Sequence, residues 1–398
     1  MTKKRIAMVH GIRPALIRNS IVLNTLRARK DVEVVFIWSG QHYSSNLKDI
    51  FFSELGIAHP DIELGCSGAT DAETVGMLIQ KLYPVLKEIN PVACTFLGDT
   101  NTAMGCIAAA QANIPIVHIE GCMRSYNWCM PEEKYRTCID HLSDVIYTYF
   151  DEYKSQGILE GLNPSNIVVV QNPIVDVLNE FYFKRKRDYD AIAVPSFFKA
   201  RSIEKNQYYL MTCHRRESVH VKDSLHNIVE LMGKTDRKIY FPASYRTQKQ
   251  LKEYGFSLPS NVVMTDPIGY KEMLTLVTNA RGVLTDSGTL VEETAVLGVP
   301  SLQIRKATER PQVYDCHSSV KFDPARPDKY PYDNVLHKLE NLWGTTWEHG
   351  LGDGHASERI VNDLVERYFN NNFDGHIPEK YAINTARSFQ EDMLDPVQ

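Results

Sequence analysis

The sequence predicts an α/β protein with two parallel β-sheets, each covered by helices on both faces. Short apolar runs typical of buried strands alternate with helix-like segments along the chain, and this alternation indicates doubly wound parallel sheets. Eleven such runs are present, and a single sheet of eleven strands would be unusually wide. We therefore expect two sheets and a ligand cleft between them.

The predicted strands form two series. They occupy residues 5–9, 32–38, 93–97, 116–119, 145–149 and 167–170, and then residues 208–212, 238–241, 262–264, 282–285 and 301–304. The first series ends near residue 173, before a helix and a polar, basic stretch. We predict an N-terminal domain over 1–173 and a C-terminal domain over 174–365. Residues 355–369 have helical periodicity, and the polar last ~25 residues are expected to lie on the surface or to be partly mobile.

Composition excludes several classes of protein. The 398 residues carry a net charge of −5, which gives no general attraction for nucleic acid or anionic membranes. The basic run at 184–187 is interpreted as a solvated linker. None of the eight cysteines forms a Cys-x-x-Cys pair of the kind found in zinc or redox sites. The apolar run at the N-terminus is too short for a signal peptide. No apolar stretch approaches the ~20 residues of a membrane helix. We expect a soluble cytoplasmic protein with reduced thiols.

Candidate site residues lie directly after predicted strands, where open α/β sheets bind ligands. These positions are unusually polar. They include the segments HGIRP at 10–14, GQHY at 40–43, GDTN at 98–101, EG at 120–121, CHRRE at 213–217 and DSG at 286–288.

The segment LTDSGTLVEETAVLGVP, residues 284–300, predicts a strand, a tight turn, a helix and a second strand. A glycine in a turn before a helix N-terminus favours an anion such as phosphate. Thr289 and Glu292 also fit a capping box, in which they would only complete the helix end. The local pattern leaves both interpretations open.

Several other charged residues have both a structural and a functional interpretation. Arg13 precedes Pro14 at a helix start and could bind phosphate or balance surface carboxylates. Asp99 and Glu120 follow apolar strands and could cap helices or face a cleft. Glu132 lies in the first turn of a predicted helix, where acidic residues are common. The imidazole of His214 beside two arginines is better explained by function than by packing.

Together these motifs resemble one family. GIRP, SGQHY, LGDTNT, HIEG, MPEEKYRT, HRRES, TDSGTLVEE, TERPQ and GDGHASERI occur in the order found in the non-hydrolysing UDP-N-acetylglucosamine 2-epimerases, over residues 5 to about 365. The resemblance implies two Rossmann-like domains of the glycosyltransferase-B type, with a nucleotide-sugar in the cleft. It also implies a homodimer, a final helix and tail (about 366–398) that rejoin the first domain, and a place in polysaccharide biosynthesis.

The resemblance assigns roles to individual residues. Asp99, Glu120, Glu132 and His214 are the candidate acid, base and ring-positioning groups, and Glu293 contacts the ribose. The remaining candidate substrate-binding residues are Arg13, Arg18, His42, Arg136, Arg216, Ser287, Gly288, Thr289 and Arg310. The expected reaction inverts C2 of the sugar through elimination and re-addition of UDP, and it requires no metal or redox cofactor.

Five positions depart from the family pattern. Ala15, Arg18, Ser244, Thr289 and Gln312 stand where other members commonly have Glu, Lys, His, Gly and Glu. These changes leave the sugar substrate and any activation by UDP-N-acetylglucosamine open. UDP-N-acetylglucosamine itself, a 6-deoxy relative or a diacetamido uronic acid relative could be the substrate. An inactive nucleotide-sugar-binding protein, a retaining glycosyltransferase and a hydrolytic enzyme are the competing classes.

Overall fold

The computed structural model describes residues 4–40 and 45–373, with side chains of residues 45–49 left out. Within this part of the chain there are two sheets, and every strand pair in them is parallel. The first sheet has seven strands and the second has six. The predicted pair of doubly wound sheets is confirmed.

The strands have the following bounds: β1 Arg5–His10, β2 Glu33–Trp38, β3 Ile62–Glu63, β4 Ala93–Leu97, β5 Ile116–Ile119, β6 Val145–Thr148, β7 Ile167–Val169, β8 Tyr208–Thr212, β9 Lys238–Pro242, β10 Val262–Thr265, β11 Gly282–Thr285, β12 Ser301–Ile304 and β13 Ser319–Phe322. The first sheet has the order β3-β2-β1-β4-β5-β6-β7 and the second has the order β10-β9-β8-β11-β12-β13. All eleven predicted strands are present. The edge strands β3 and β13 were missed. Both are at least partly exposed, so neither forms the fully apolar run on which the prediction depended.

The helices have the following bounds: α1 Arg13–Ala28, α2 Ser45–Glu54, α3 Asp71–Ile89, α4 Cys106–Gln111, α5 Pro131–Leu142, α6 Asp151–Leu159, α7 Pro173–Phe181, α8 Lys186–Ile192, α9 Pro195–Lys199, α10 Arg216–Val219, α11 Lys222–Gly233, α12 Tyr245–Tyr254, α13 Tyr270–Val277, α14 Gly288–Leu297, α15 Gln312–Asp315, α16 Tyr332–Leu342 and α17 Ala356–Asn370. No helix among the described residues is both long and apolar enough to cross a membrane.

Local sequence explains several helix ends. Thr70 and Glu73 form a capping box at the start of α3, which satisfies two N–H groups that have no acceptor within the helix. Gly298 ends α14 in the left-handed conformation at φ 71°, where a residue without Cβ is favoured. The run at 184–187 is exposed, as predicted, but it is not an irregular linker: it passes from a 3₁₀ turn into α8.

Apolar clusters cover both faces of each sheet. Helix α17 packs against α1 and α7. Tyr368 Oη donates a 2.7 Å hydrogen bond to the Lys4 carbonyl, and Tyr147 Oη donates one of 2.6 Å to Asp363. The last described helix therefore lies against the first sheet. The predicted tail at 374–398 lies outside the described residues.

Candidate functional site

The candidate site lies at the points where the strand order of each sheet reverses. In the first sheet β1 and β4 are neighbours, and in the second β8 and β11 are neighbours. The segments after these four strands begin with Gly11, Gly98, Cys213 and Asp286. Crevices at such reversal points are the usual ligand sites of open α/β sheets. The site therefore combines one reversal point from each sheet.

Close packing at the end of β1 requires a glycine. A Cβ added at Gly11 would lie 2.0 Å from Ser39 Oγ and 2.2 Å from Thr102 Oγ1. Helix α1 starts two residues later, with Pro14 in its first turn. The Arg13 guanidinium lies 5.2 Å from the centre of the Phe51 ring, and burial lowers the pKa of Arg13. The sequence thus holds Arg13 at the helix start, partly withdrawn from water.

The turn after β11 has the geometry of an anion site. Ser287 is the N-cap of α14, and its Oγ accepts a hydrogen bond of 3.3 Å from Leu290 N. The first-turn N–H groups of a helix have no acceptor within the helix, so Gly288 and Thr289 can offer theirs to a ligand. The alternative capping box is wrong: Thr289 lies inside the helix, and Glu292 turns away from the helix start toward Asn172 and Arg310.

His214 lies beside this turn and is fixed by Asp286. Asp286 Oδ2 accepts hydrogen bonds of 2.8 Å from both the His214 and Arg215 N–H groups, and Asp286 Oδ1 lies 3.3 Å from His214 Nδ1. Burial lowers the pKa of His214, Asp286 opposes this shift, and the guanidiniums of Arg215, Arg13 and Arg246 add to it. A cluster of positive charge therefore surrounds the imidazole, as an anionic ligand would require.

Glu120 is the centre of a buried ionic network that spans the two sheets. Its Oε1 lies 3.1 Å from both Arg136 Nη2 and Arg310 Nη2. Its Oε2 accepts a 2.8 Å hydrogen bond from Tyr149 Oη and also pairs with Arg18. Glu120 has φ 73°, a conformation that is uncommon outside glycine and is concentrated at functional sites.

The two remaining predicted carboxylates adjoin this network. Arg136 Nη2 lies 2.7 Å from Asp99 Oδ2, so one guanidinium joins Asp99 to Glu120. Glu132 lies in the first turn of α5, and burial followed by the negative charge of Asp99 raises its pKa. A carboxyl group in a buried site that holds its proton more tightly than usual is a candidate for general acid catalysis.

Glu293 lies beneath the anion turn and is almost fully buried. Tyr270 Oη donates it a hydrogen bond of 2.7 Å. Burial raises the pKa of Glu293 to about 7, the Tyr270 hydrogen bond opposes this rise, and the neighbouring Glu292 adds to it. The preceding Glu292 has a different partner set, because its Oε2 lies 3.1 Å from Arg310 Nε.

A second buried network contacts two of these turns. His118 Nδ1 lies 2.7 Å from Asp140 Oδ1 and His118 Nε2 lies 2.9 Å from the Gly98 carbonyl. Asp140 also pairs with Arg124 at 2.7 Å. The network therefore connects the turn before Asp99 to helix α5. A Cβ at Gly121 would lie 2.7 Å from Asp140 Oδ1, so this turn packs directly on the network.

The structure thus places most of the predicted site residues near one another, around the ends of these strands. Arg216 is the exception, because it is exposed and pairs with Asp71 of α3 at the rim. His42 lies outside the described residues. Among those described, no group of three or more His, Cys, Asp or Glu side chains could hold a metal ion.

Sequence reasoning missed Tyr149 and Tyr270, which contact two of the predicted carboxylates. Tyr149 directly follows β6, so the search for polar groups after strands could have found it. Tyr270 begins α13 after Gly269, and no pattern in that segment distinguishes it from an ordinary core tyrosine.

Comparison with known proteins gives concordant results. The family model described as UDP-N-acetylglucosamine 2-epimerase matches residues 24–365. A UDP-N-acetylglucosamine 2-epimerase of Methanocaldococcus jannaschii is 32% identical over 372 residues, which are 91% of this chain and 99% of the relative. A UDP-2,3-diacetamido-2,3-dideoxy-D-glucuronate 2-epimerase of Pseudomonas aeruginosa is 29% identical over 373 residues, 91% of this chain and 99% of the relative.

A solved structure is similar over the same length. The crystal structure of the Methanocaldococcus jannaschii UDP-GlcNAc 2-epimerase in complex with UDP-GlcNAc and UDP has a TM-score of 0.82 and 30% sequence identity, and the match covers 91% of this chain and 99% of that one. The similarity therefore includes both sheets and the cleft between them.

Proposed function

Since the chain belongs to the UDP-N-acetylglucosamine 2-epimerase family, we propose that it inverts C2 of a UDP-N-acetylhexosamine and converts UDP-GlcNAc to UDP-ManNAc. One observation carries this proposal. The carboxylates of Asp99 and Glu120 share a buried guanidinium network that reaches Arg310 on the opposite side of the cleft, beside the anion turn at Gly288. Proton-transfer groups and a diphosphate site therefore adjoin each other.

The proposed chemistry follows from the weak acidity of the C2 proton. A base removes this proton, and the electron pair of the C2–H bond forms a double bond between C1 and C2. At the same time the C1–O bond breaks, and the electron pair of that bond leaves with the β-phosphate of UDP. The product is a 2-acetamidoglucal. A proton is then delivered to the opposite face of C2, and the UDP oxygen attacks C1 to restore the bond. Fixed cations and helix N–H groups can stabilise the departing diphosphate without reorganisation.

We assign the acid, base and ring-positioning roles to Asp99, Glu120, Glu132 and His214. The raised pKa of Glu132 supports a proton-donating role for that residue. His214 instead lies among cationic groups beside the anion turn, and we assign it to positioning the sugar ring next to the phosphate.

The substrate-binding roles fall on both sides of the cleft. We assign the diphosphate to the Ser287–Thr289 turn with Arg13 and Arg310, and the ribose to Glu293. Arg18 and Arg136 hold the carboxylates in place. Arg216 and His42 remain proposed substrate contacts, and Arg216 would have to leave Asp71 to make one.

A second substrate class is favoured by one specific relative. The Pseudomonas aeruginosa protein is named for a diacetamido uronate, and a sugar with an extra carboxylate would suit the arginine cluster around His214. A 6-deoxy sugar is the other modified candidate. A nucleotide-sugar-binding protein without turnover is the alternative from another class.

The test is incubation of the purified protein with UDP-GlcNAc in D₂O, with products followed by NMR. Epimer that carries deuterium at C2 supports the proposal. Free N-acetylmannosamine indicates hydrolysis, and UDP binding without exchange indicates a binding protein. UDP-activated diacetamido uronate and 6-deoxy sugars in parallel reactions identify the substrate class by their relative kcat/KM.

Three further assignments rest on the family resemblance. We propose a homodimer, a cytoplasmic location, and a role in polysaccharide biosynthesis. Light scattering of the purified protein tests the dimer.

The division of the chain near residue 173, with the segment after about 366 rejoining the first domain, is retained as a proposal.

A further inference from the structure

The side chain of Glu54, in the half of the molecule that contains the first sheet, caps helix α13 of the other half. Its Oε2 accepts hydrogen bonds of 2.6 Å from Tyr270 N and 3.1 Å from Lys271 N. These are the first two residues of α13, whose own N-cap Gly269 has no side chain to do this. Glu54 ends α2, which belongs to the first-sheet half. A carboxylate at a helix N-terminus is favoured by both the N–H groups and the helix dipole.

The contact requires close approach at Gly269. A Cβ added there would lie 2.9 Å from Glu54 Oε1 and 3.0 Å from Ile50 Cγ2. The φ of Gly269 is −70°, which any residue can adopt, so a glycine is needed here for space and not for backbone conformation. The fit between α2 and the start of α13 is therefore specific to this pair of surfaces.

The capped residue holds the proposed ribose carboxylate. Tyr270 donates its backbone N–H to Glu54 and its Oη to Glu293, at 2.6 and 2.7 Å. Its ring centre lies 6.2 Å from that of Phe51 on α2, and the Arg13 guanidinium lies 5.2 Å from the Phe51 ring centre. Helix α2 thus contacts both a proposed diphosphate residue and the tyrosine that orients Glu293.

We propose that Glu54 is a positioning residue that couples the contact between α2 and α13 to ribose binding. The proposal rests on the proposed function, because that function gives Glu293 its ligand. Glu54 holds the start of α13 and fixes Tyr270, and Tyr270 holds Glu293 in the orientation that accepts the ribose hydroxyls. Nucleotide binding and the contact between α2 and α13 favour each other through these bonds.

The first experiment measures UDP affinity of the full chain by calorimetry. Glu54→Ala is expected to weaken UDP binding about 10-fold, in line with the loss of a charged helix cap. Glu54→Gln keeps an acceptor oxygen and should restore part of the affinity. Glu88→Ala, an exposed glutamate near the far end of α3, is the matched control and should bind UDP as the wild type does.

Two further measurements separate coupling from a general structural effect. A 2′,3′-dideoxy-UDP probe lacks the hydroxyls that Glu293 would hold, so Glu54→Ala should weaken its binding less than 2-fold. In a double-mutant cycle with Tyr270→Phe, the effect of Glu54→Ala on UDP affinity should shrink because both changes act on one chain of contacts. In turnover, Glu54→Ala should raise KM more than it lowers kcat.

The outcomes distinguish the two proposals. Suppose that the wild type binds UDP. If Glu54→Ala then binds UDP equally well, or if it loses the same affinity for UDP and for dideoxy-UDP, the coupling role is overturned and the proposed function stands. Additive effects of Glu54→Ala and Tyr270→Phe would also overturn the coupling. If the wild type does not bind UDP, the proposed function fails and the coupling fails with it.

Discussion

Arg310 Nη2 lies 3.1 Å from Glu120 Oε1, and this contact joins a loop of the second sheet to the end of a strand in the first. Arg310 also pairs with Glu292 at 3.1 Å and with Glu309 at 2.9 Å. One guanidinium therefore contacts carboxylates from both halves of the molecule. A lysine ammonium is a single point charge and cannot reproduce this planar set of contacts.

We therefore expect Arg310→Lys to lower kcat about 100-fold, the effect typical of removing one fixed electrostatic contact from an active site. The matched control is Arg281→Lys, which alters an arginine paired with Glu340 and stacked on Trp343 at the start of β11. Initial rates by NMR provide the measurement. Equal rates in the two variants would contradict the role given to Arg310.

Asp99→Asn and His214→Ala should each lower turnover strongly while unfolding stays cooperative. Asparagine at position 99 can still accept a hydrogen bond from Arg136 Nη2, but it carries no charge and its amide cannot transfer a proton. General acid–base groups commonly contribute about 10²- to 10⁴-fold. Asp328→Asn changes an exposed aspartate in a loop of the second half and serves as the control. Rates near that of the wild type in both variants would show that the catalytic assignment is wrong.

The sequence was sufficient for the parallel sheets because strands buried on both faces are continuously apolar. All five residues of β4, for example, are buried. The same criterion could not detect β3, which has two residues and faces solvent. Short edge strands are defined by their partner's hydrogen bonds and not by their own composition, so their existence depends on the assembled sheet.

The candidate site was predictable where a charged group lies within two residues of a strand end, as Asp99, Glu120 and His214 do. It was not predictable where the role depends on partners far along the chain. Glu292 was compatible with a capping box in sequence, but in the structure it accepts a 2.8 Å hydrogen bond from Asn172, which is 120 residues away. Tertiary contacts of this kind decide between two locally reasonable interpretations.

Glu293 should make stability depend on pH in the absence of nucleotide. Its pKa is raised to about 7 by burial, above the 4.5 of the unfolded chain, so the folded state holds the proton longer. Protonated Glu293 therefore contributes to the free energy of unfolding below about pH 4.5, and this contribution is lost as pH rises toward 7. The shift corresponds to roughly 3 kcal/mol.

Glu293→Gln should remove this dependence of the unfolding free energy on pH. From about pH 4.5 to 7 the wild type should lose stability that the variant keeps, so the variant becomes progressively more stable relative to the wild type. Urea unfolding at several pH values provides the measurement. Parallel pH profiles for the two proteins would contradict the assignment of a raised pKa to Glu293.

Gly288→Ala should weaken nucleotide binding by displacing Arg310. The added Cβ would lie 3.1 Å from Arg310 Nε and 3.2 Å from Cζ, so the guanidinium must move by a few tenths of an ångström. We expect a loss of UDP affinity of about 3- to 10-fold with little change in the thermal midpoint, because the helix start itself tolerates alanine. Gly233→Ala, where the Cβ would meet only Pro259 at 3.4 Å, is the control for a glycine change. Equal UDP affinity in the two variants would show that Gly288 is not part of the nucleotide-binding site.

Gln312 explains how one departure from the family pattern is accommodated. Its Oε1 accepts a 2.9 Å hydrogen bond from Tyr153 Oη, and its Nε2 donates to Glu152. Tyr153 and Glu152 lie on α6, whereas Gln312 begins α15, so these bonds hold α15 against α6. A glutamate at position 312 would place two carboxylates in contact and weaken this packing.

Gln312→Glu should therefore raise KM about 2- to 5-fold, a modest change because Glu152 is exposed and water screens the repulsion. The added substitution Glu152→Gln exchanges the two groups and should return KM close to that of the wild type. A double-mutant cycle on KM checks this expectation. If Glu152→Gln leaves the KM of Gln312→Glu unchanged, the two side chains do not interact in solution, and the amide at 312 has no part in holding α15 against α6.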